Sequence, residues 1–164
     1  MAKRLLIRNI QYLITCDAED QVLQNVNLVI EDGVIQAIGP EAELAELFET
    51  STAADEVIDG THLLVYPGLI NTHHHLYQIF SRNLPQVQNL ELFPWLIYLY
   101  EIWKKLNADV IYHTSLIGMG ELLKSGCTTC FDHHYVFPHG AEGLIDAQFA
   151  AAEKLGTRFH ASRG

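Results

Sequence analysis

Three consecutive histidines follow an apolar segment, in the stretch NTHHHLYQ at positions 71–78. The preceding residues, PGLI, predict a buried strand that ends at these histidines. Side chains alternate between the two faces of a strand, so His73 and His75 point to one face and His74 points to the other. Two imidazoles with this spacing can both reach one divalent ion at about 2.0–2.1 Å. Judged by spacing alone, a metal site and a solvated histidine cluster are equally good explanations. The preceding strand favours the metal site. His74 would then pack behind the strand.

Tyr77 and Gln78 lie in the loop just beyond these histidines, where a substrate could contact them. A side-chain amide can donate and accept hydrogen bonds at once, which suits the edge of a purine, pyrimidine or triazine. From the residues alone, an ordinary loop glutamine is the better explanation of Gln78.

Two further predicted strands also end in residues that could take part in a site. Asp132 and His133 end the strand CTTCFDHHYV, where one of them could orient a ligand histidine or line a pocket, although a structural capping role fits as well. Arg163 ends the strand TRFHASRG and could direct its guanidinium group at a substrate carbonyl.

The pair Cys127 and Cys130 forms a C-x-x-C pattern, which raises the alternative of a redox or zinc site. Positions three apart on a strand face opposite sides, and the sequence has no second C-x-x-C or histidine pair to complete a structural zinc site. We therefore expect two small residues in a buried strand. The signatures H-x-E with P-C-x-x-C and H-E-x-x-H are also absent.

Residues 1–65 carry the pattern of a small antiparallel β domain. The segments RLLIRN, QYLITC and VLQNVNLVIEDGVIQAIG are rich in β-formers, and Asp32-Gly33 predicts a two-residue hairpin. A short helix is expected over PEAELAELFE, and EVIDGTHLLVYPG predicts two more strands.

Residues 66–164 alternate between strand and helix patterns. Two helices, LFPWLIYLYEIWKKL and NADVIYHTSLIGMGELLKSG, follow the histidine strand, and AEGLIDAQFAAAEKLG predicts a third between the last two strands. Asn107 is the expected N-cap of the second helix, and glycines 126 and 156 are expected to end the second and third helices. The aromatic residues Trp95, Tyr98, Tyr100 and Trp103 are expected mostly in the core. Such βα units feed a parallel sheet, whose carboxyl end holds the active site in barrels.

Length and charge limit the classes of function. A closed eight-unit barrel needs about 250 residues, so we expect the three units here to be completed by the remainder of a longer chain or by another chain. The 164 residues carry a net charge of −10 and no basic cluster, which argues against nucleic acid and anionic membrane partners. No apolar run approaches the roughly 20 residues of a membrane helix, and three cysteines make no disulfide framework. We expect a cytoplasmic protein.

The stretch PGLINTHHHLYQ resembles the first-strand motif of the amidohydrolase superfamily. The segments ELFPWLIYLYEIWKKL, ELLKSGCTTCFDHHYVFP and RFHASRG are similar to the branch that contains 8-oxoguanine deaminases and hydroxyatrazine-type aminohydrolases. The resemblance implies an α/β fold, the N-terminal part of a metal-dependent TIM-type barrel preceded by a small β-sandwich extension. Residues 1–65 would then be completed by C-terminal strands outside this sequence, and residues 66–164 would be the first three β/α units.

The resemblance also implies the chemistry. His73 and His75 would be ligands of one Zn²⁺ per subunit, with Fe²⁺ or Mn²⁺ as alternatives, and Gln78 would contact the heterocycle. The metal lowers the pKa of water, which attacks the ring carbon bearing the exocyclic amine. The implied reaction is 8-oxoguanine to urate and ammonia, with guanine deamination or hydroxy-triazine amine hydrolysis next, and chlorohydrolysis less well matched.

The acid and base of that reaction are expected on later strands, and none is assigned within these 164 residues. An alternative of another class is a non-catalytic barrel that serves as a binding or assembly subunit. A homo-oligomer is a further expectation from the resemblance.

Overall fold

A computed structural model of the protein describes residues 4–49 and 56–164. The chain divides into two compact units, Met1–Pro67 and Gly68–Gly164. Among the helices of the described residues, none has the length and apolarity that a bilayer span requires.

The first unit is built on one five-stranded sheet. Its strands are β1 (Arg4–Ile14), β2 (Val22–Glu31), β3 (Val34–Gly39), β4 (Glu56–Asp59) and β5 (Leu64–Val65). A 3₁₀ helix, Glu41–Glu43, and a short helix α1, Ala45–Glu49, follow β3. The predicted hairpin is confirmed: β2 and β3 pair antiparallel, with φ of 50° at Asp32 and 79° at Gly33. Positive φ at both central residues is the requirement of the type I′ turn.

The expectation of an all-antiparallel unit is wrong. Strands β4 and β5 both pair with β1 in parallel, so the sheet is mixed. Parallel neighbours are joined through residues distant in sequence, and a local pattern of β-formers carries no information on that pairing. The two segments expected as separate strands at residues 4–16 are one strand with a bulge between Ile7 and Ile10. Asn27 holds this bulge, because its Oδ1 accepts a hydrogen bond from the main-chain N–H of Asn9 at 2.9 Å.

Apolar side chains cover parts of both faces of this sheet. One cluster contains Ile10, Leu13, Val26 and Leu28, and a second contains Leu6, Val29 and Leu44. The described residues of the unit form one sheet, and the second sheet of a sandwich stays a prediction.

The second unit confirms the predicted alternation of strands and helices. Three parallel strands lie in the order β6 (Leu69–His74), β7 (Cys127–His134) and β8 (Arg158–Arg163). Between β6 and β7 lie a 3₁₀ helix (Leu76–Ser81), α2 (Leu92–Trp103) and α3 (Ala108–Lys124), and α4 (Leu144–Leu155) joins β7 to β8. Because sequential strands are neighbours and parallel, their carboxyl ends meet at one edge.

The ends of these helices follow the sequence signals. The Oδ1 of Asn107 accepts from the N–H of Val110 at 3.0 Å, which confirms the N-cap of α3. Gly156 ends α4 in the left-handed region, at φ of 69°, as the sequence predicts. The sequence does not predict the 3₁₀ helix directly after the histidines, because two short turns of mixed polar and apolar residues give no helical period.

The main core of the second unit lies beneath α2. It contains Tyr77, Leu99, Trp103, Ile111 and Leu144, so the burial predicted for Trp103 is confirmed. Tyr98 and Tyr100 were expected in this core and are instead 40% and 42% exposed. The buried positions of α2 recur every four residues at Leu99 and Trp103, and the two tyrosines flank that stripe.

Candidate metal centre at the end of strand β6

The imidazoles of His73 and His75 converge on one point beyond the end of β6. Their Nε2 atoms lie 3.1 Å apart, and the two rings meet edge to face with centroids 4.9 Å apart. A separation of 3.1 Å is shorter than two metal–nitrogen bonds of about 2.0–2.1 Å laid end to end, so one ion can bind both atoms. The two residues therefore fit a divalent metal ion.

The hydrogen bond of Nδ1 determines which ring nitrogen of His75 can bind a metal. His75 Nδ1 lies 2.8 Å from the main-chain oxygen of His133. A carbonyl oxygen only accepts, so Nδ1 carries the proton and Nε2 keeps its lone pair. This is the arrangement in which a histidine binds a metal through Nε2 while a partner behind it holds the ring.

His133 contributes through two different groups. Its main-chain oxygen holds His75, and its imidazole stacks on His73 with ring centroids 4.4 Å apart. Among the residues that the structure describes, no group of three or more histidine, cysteine or acidic side chains is placed to hold a metal. Further ligands from later strands stay a prediction.

Asp132 lies behind the site and is fully buried. Its Oδ1 accepts from the main-chain N–H of Leu76, and its Oδ2 accepts from Nε2 of Gln148, both at 2.6 Å. The carboxylate therefore holds the chain immediately after His75, and its partner Gln148 comes from α4. The sequence does not predict this role for Gln148, since a single polar residue on an amphipathic helix gives no signal of its partner.

Gln78 lies between two phenol groups. Its Nε2 is 3.2 Å from the hydroxyl oxygen of Tyr77 and 3.4 Å from that of Tyr135. Burial raises the pKa of Tyr77 well above its ordinary value, so this hydroxyl stays protonated. The ring of Tyr135 also meets His75 edge to face, with centroids 5.1 Å apart. The sequence gives one signal for Tyr135, its position directly after the end of β7.

A cavity of 540 Å³ opens beside Gln78. The 3₁₀ helix, the loop after it and the start of α2 line it, with Gln78, Ser81, Arg82, Asn83, Val87 and Trp95 among the lining residues. Side-chain amides and an indole ring are groups that can bind a flat polar heterocycle.

Arg163 lies elsewhere on the edge formed by the strand ends. Its Cζ stands 4.5 Å above the ring of Phe137, and it lines a cavity of 450 Å³ with Phe137, Pro138 and Asp146. The structure thus brings together His73, His75, His133, Tyr77 and Gln78, and it places Arg163 against Phe137. A substrate contact of Arg163 stays a prediction.

Two further histidines and the cysteine pair are packed into the unit. Burial lowers the pKa of His74 and of His134, and the nearby carboxylate of Asp132 opposes this in both. The cysteines of the C-x-x-C pattern are both buried and free, and burial raises the pKa of Cys130 to about 12. A thiol with that pKa stays protonated, which accords with a packing role.

The sequence profile of the amidohydrolase family matches residues 64–164. The chain is 42% identical over 157 residues to the hydroxydechloroatrazine ethylaminohydrolase of Pseudomonas sp. strain ADP, covering 93% of this chain and 33% of that protein. It is 38% identical over 162 residues to the 8-oxoguanine deaminase of Pseudomonas aeruginosa, covering 98% of this chain and 34% of that protein.

Solved structures agree on the fold. The atrazine chlorohydrolase of Arthrobacter aurescens TC1, solved with zinc, matches with a TM-score of 0.85 and 32% identity, over 97% of this chain and 35% of that one. The three parallel strands with their helices, and the paired imidazoles at the end of the first strand, define the class of protein: parallel βα units with a candidate metal site at the carboxyl end of the sheet. Within that class, this chain belongs to the amidohydrolase family. It spans about a third of the length of the curated relatives that it matches.

Proposed function

We propose that the protein is a metal-dependent aminohydrolase of a purine-like heterocycle. One observation carries the proposal: the Nε2 atoms of His73 and His75 lie 3.1 Å apart, and the main-chain oxygen of His133 holds His75 in the tautomer that leaves its Nε2 free. Two convergent ring nitrogens at the carboxyl end of a parallel strand suit one divalent ion, for which zinc is the first candidate and Fe²⁺ or Mn²⁺ are alternatives.

The residues of this chain would bind the ion and orient the substrate. When bound, the ion supplies Lewis-acid chemistry that activates water near neutral pH. Gln78 is held by two phenols through its amide nitrogen, which leaves its carbonyl oxygen to accept from an N–H of the heterocycle. Water adds at the ring carbon bearing the amine, the C–N bond breaks, and the amine leaves with one proton from water. The proton-transfer groups are expected outside this chain.

We propose 8-oxoguanine, converted to urate and ammonia, as the first substrate to test. The similarity to an 8-oxoguanine deaminase extends over 98% of this chain, and the side-chain amide of Gln78 suits the edge of a purine. Guanine, which shares the exocyclic amine, is the nearest alternative.

A hydroxy-triazine carrying an ethylamino group is a second candidate. The relative with 42% identity is a hydroxydechloroatrazine ethylaminohydrolase, and this identity is higher than that to the 8-oxoguanine deaminase. The two candidates differ in their leaving group, since one releases ammonia and the other releases ethylamine. A single assay can therefore separate them.

The test is amine release by the zinc-loaded full-length protein with 8-oxoguanine, guanine and an ethylamino-hydroxytriazine. We expect turnover of one of these, and a loss of more than about 100-fold in His73→Ala, because removal of a direct ligand exceeds the 10–100-fold cost of removing a supporting group. His113→Ala is the matched control, because His113 is exposed on α3 and should leave the rate unchanged.

The non-catalytic alternative makes a different prediction for the same preparation. A binding or assembly subunit needs no metal, so metal analysis by mass spectrometry would find none bound. Stoichiometric metal without turnover of any of the three substrates would keep the metal site and exclude the proposed substrates.

A further inference from the structure

We propose that Asp132 and Gln148 are positioning residues that hold His75 in its metal-binding orientation. The proposal deepens the proposed function and rests on its metal site. It assigns a role to a fully buried carboxylate and a fully buried amide that lie behind the imidazoles.

The end of β7 holds the chain at His75 through two separate hydrogen bonds. The main-chain oxygen of His133 accepts from Nδ1 of His75 at 2.8 Å and so fixes the imidazole ring. The side chain of Asp132 accepts from the N–H of Leu76 at 2.6 Å and so fixes the peptide group that joins His75 to Leu76. Together the two bonds restrict both the backbone and the side chain of His75.

The second oxygen of Asp132 is held from α4. Gln148 Nε2 donates to Asp132 Oδ2 at 2.6 Å, so the carboxylate is fixed at both oxygens. A carboxylate that accepts two such bonds keeps one rotamer, since turning either oxygen away would break a charge-assisted hydrogen bond in a buried place. The orientation of His75 thereby depends on a side chain from a helix that does not border the metal site.

Packing alone gives a poor explanation of these two residues. Burying a carboxylate among uncharged donors is costly, and an apolar side chain of similar volume would fill the space without that cost. The Oε1 of Gln148 is buried without a hydrogen-bond partner in the described part of the chain. The Gln148 amide therefore has one unpaired acceptor and donates one hydrogen bond, to Asp132. We infer that this hydrogen bond fixes the orientation of the Asp132 carboxylate.

The test compares metal affinity among variants of the full-length protein. Zinc dissociation constants are measured by chelator competition, and Co²⁺-substituted protein reports ligand geometry through its visible absorption. We expect Asp132→Ala and Gln148→Leu each to weaken zinc binding by about 10–100-fold, the usual cost of losing a group that orients a ligand. Both should also shift the Co²⁺ spectrum. Asp132→Asn should restore most of the affinity, because its Oδ1 still accepts from Leu76 and its amide can donate to Oε1 of Gln148.

Leu144→Ala is the matched control for loss of stability. Leu144 is buried on the same helix as Gln148 and packs into the apolar core, so its truncation lowers the melting temperature with the metal site intact. Wild-type affinity and an unchanged Co²⁺ spectrum in Gln148→Leu would overturn the proposal, even if Asp132→Ala failed to fold. Equal weakening by Leu144→Ala would overturn it as well. If the wild-type protein binds no metal, or if His73→Ala binds it as tightly, the proposed function fails together with this inference.

Discussion

The histidines at the carboxyl end of the sheet differ in what their ring nitrogens contact. His75 has one nitrogen held by a main-chain oxygen and the other facing His73, which is the arrangement of a ligand. His134 is fully buried, and neither of its ring nitrogens makes a hydrogen bond of good geometry within the described residues. Its ring instead meets Tyr77 and Phe137 edge to face. These two histidines therefore take different roles: His75 is held by a hydrogen bond, and His134 packs against aromatic rings.

The burial of His134 predicts a dependence of stability on pH. Burial lowers its pKa in the folded state below the ordinary value of about 6.5, so below that pH the unfolded chain binds more protons than the folded chain. The free energy of unfolding should therefore fall as the pH drops from about 6.5 towards the folded-state pKa, by at most about 1.4 kcal/mol per pH unit. His134→Phe, which keeps an aromatic ring, should flatten this dependence.

Urea unfolding of the metal-free full-length protein, between about pH 7.5 and pH 5.5, measures the effect. His74 titrates in both proteins, so the difference between wild type and variant isolates His134. His113→Gln, at an exposed position, is the matched control for replacing a histidine. Parallel curves for the wild type and His134→Phe would show that His134 contributes nothing to the pH dependence.

At the scale of elements, helix α3 approaches the 3₁₀ helix after His75 at Gly118. A Cβ at this position would lie 2.6 Å from Cδ2 of Leu76 and 3.4 Å from two side-chain atoms of Ile79. Leu76 is fully buried and belongs to a cluster with Met119 and Ala152, so it has little room to move. The absence of a side chain at Gly118 thus lets α3 support the segment that follows the candidate ligands.

Gly118→Ala should destabilise the protein relative to Gly120→Ala, by about 1–3 kcal/mol of overpacking. Both substitutions gain up to about 1 kcal/mol of helix propensity, and a Cβ at Gly120 meets nothing within 4 Å. Gly120→Ala is therefore the matched control on the same helix and should be neutral or stabilising. Chemical denaturation of the two variants provides the comparison. Equal stability would show that the contact at Leu76 relaxes without cost.

Local signals in the sequence predict the helices and strands. Contacts between segments that are distant in the chain are not predicted from it. Asp32-Gly33 and Asn107 act through neighbours in the chain, so the hairpin and the helix start were predicted correctly. Two imidazoles on one strand face follow from alternation alone, which is why the pair His73 and His75 could be proposed from spacing. Their geometric convergence now supports that proposal, while their role as ligands stays a prediction.

The features that the sequence does not predict depend on contacts between different helices and strands. The parallel pairing of β4 and β5 with β1 joins residues 51 and 52 positions apart, such as Leu5 with Glu56 and Tyr12 with Leu64, and no local pattern encodes it. Gln148 meets Asp132 across 16 positions of the chain, and Tyr135 meets Gln78 across 57, so neither contact is local in sequence. Tyr98 is exposed, contrary to the prediction, because its position beside the buried stripe of α2 outweighs its aromatic character.

At the scale of the whole molecule, the second unit leaves apolar surface uncovered. Parallel sheets in proteins are normally covered on both faces, because their strands are apolar on both sides. Here β6 and β8 are the two outer strands of a three-stranded sheet, and Ile70 on β6 is 66% exposed. Phe93 on α2 is 75% exposed. Surfaces of this kind are usually buried by further structure of the same protein or by a partner.

Residues 1–164 produced alone should therefore lack a cooperative thermal transition and should bind a hydrophobic dye. The reason is that two outer parallel strands and exposed apolar side chains remain uncovered, whereas a closed barrel of about 250 residues would bury them. Calorimetry and dye fluorescence, with the full-length protein as the control, measure both effects. A sharp transition without dye binding would show that the three βα units form a stable fold by themselves. The metal site could then be studied within this chain, because two imidazoles that are fixed before the ion arrives bind it without the cost of ordering them.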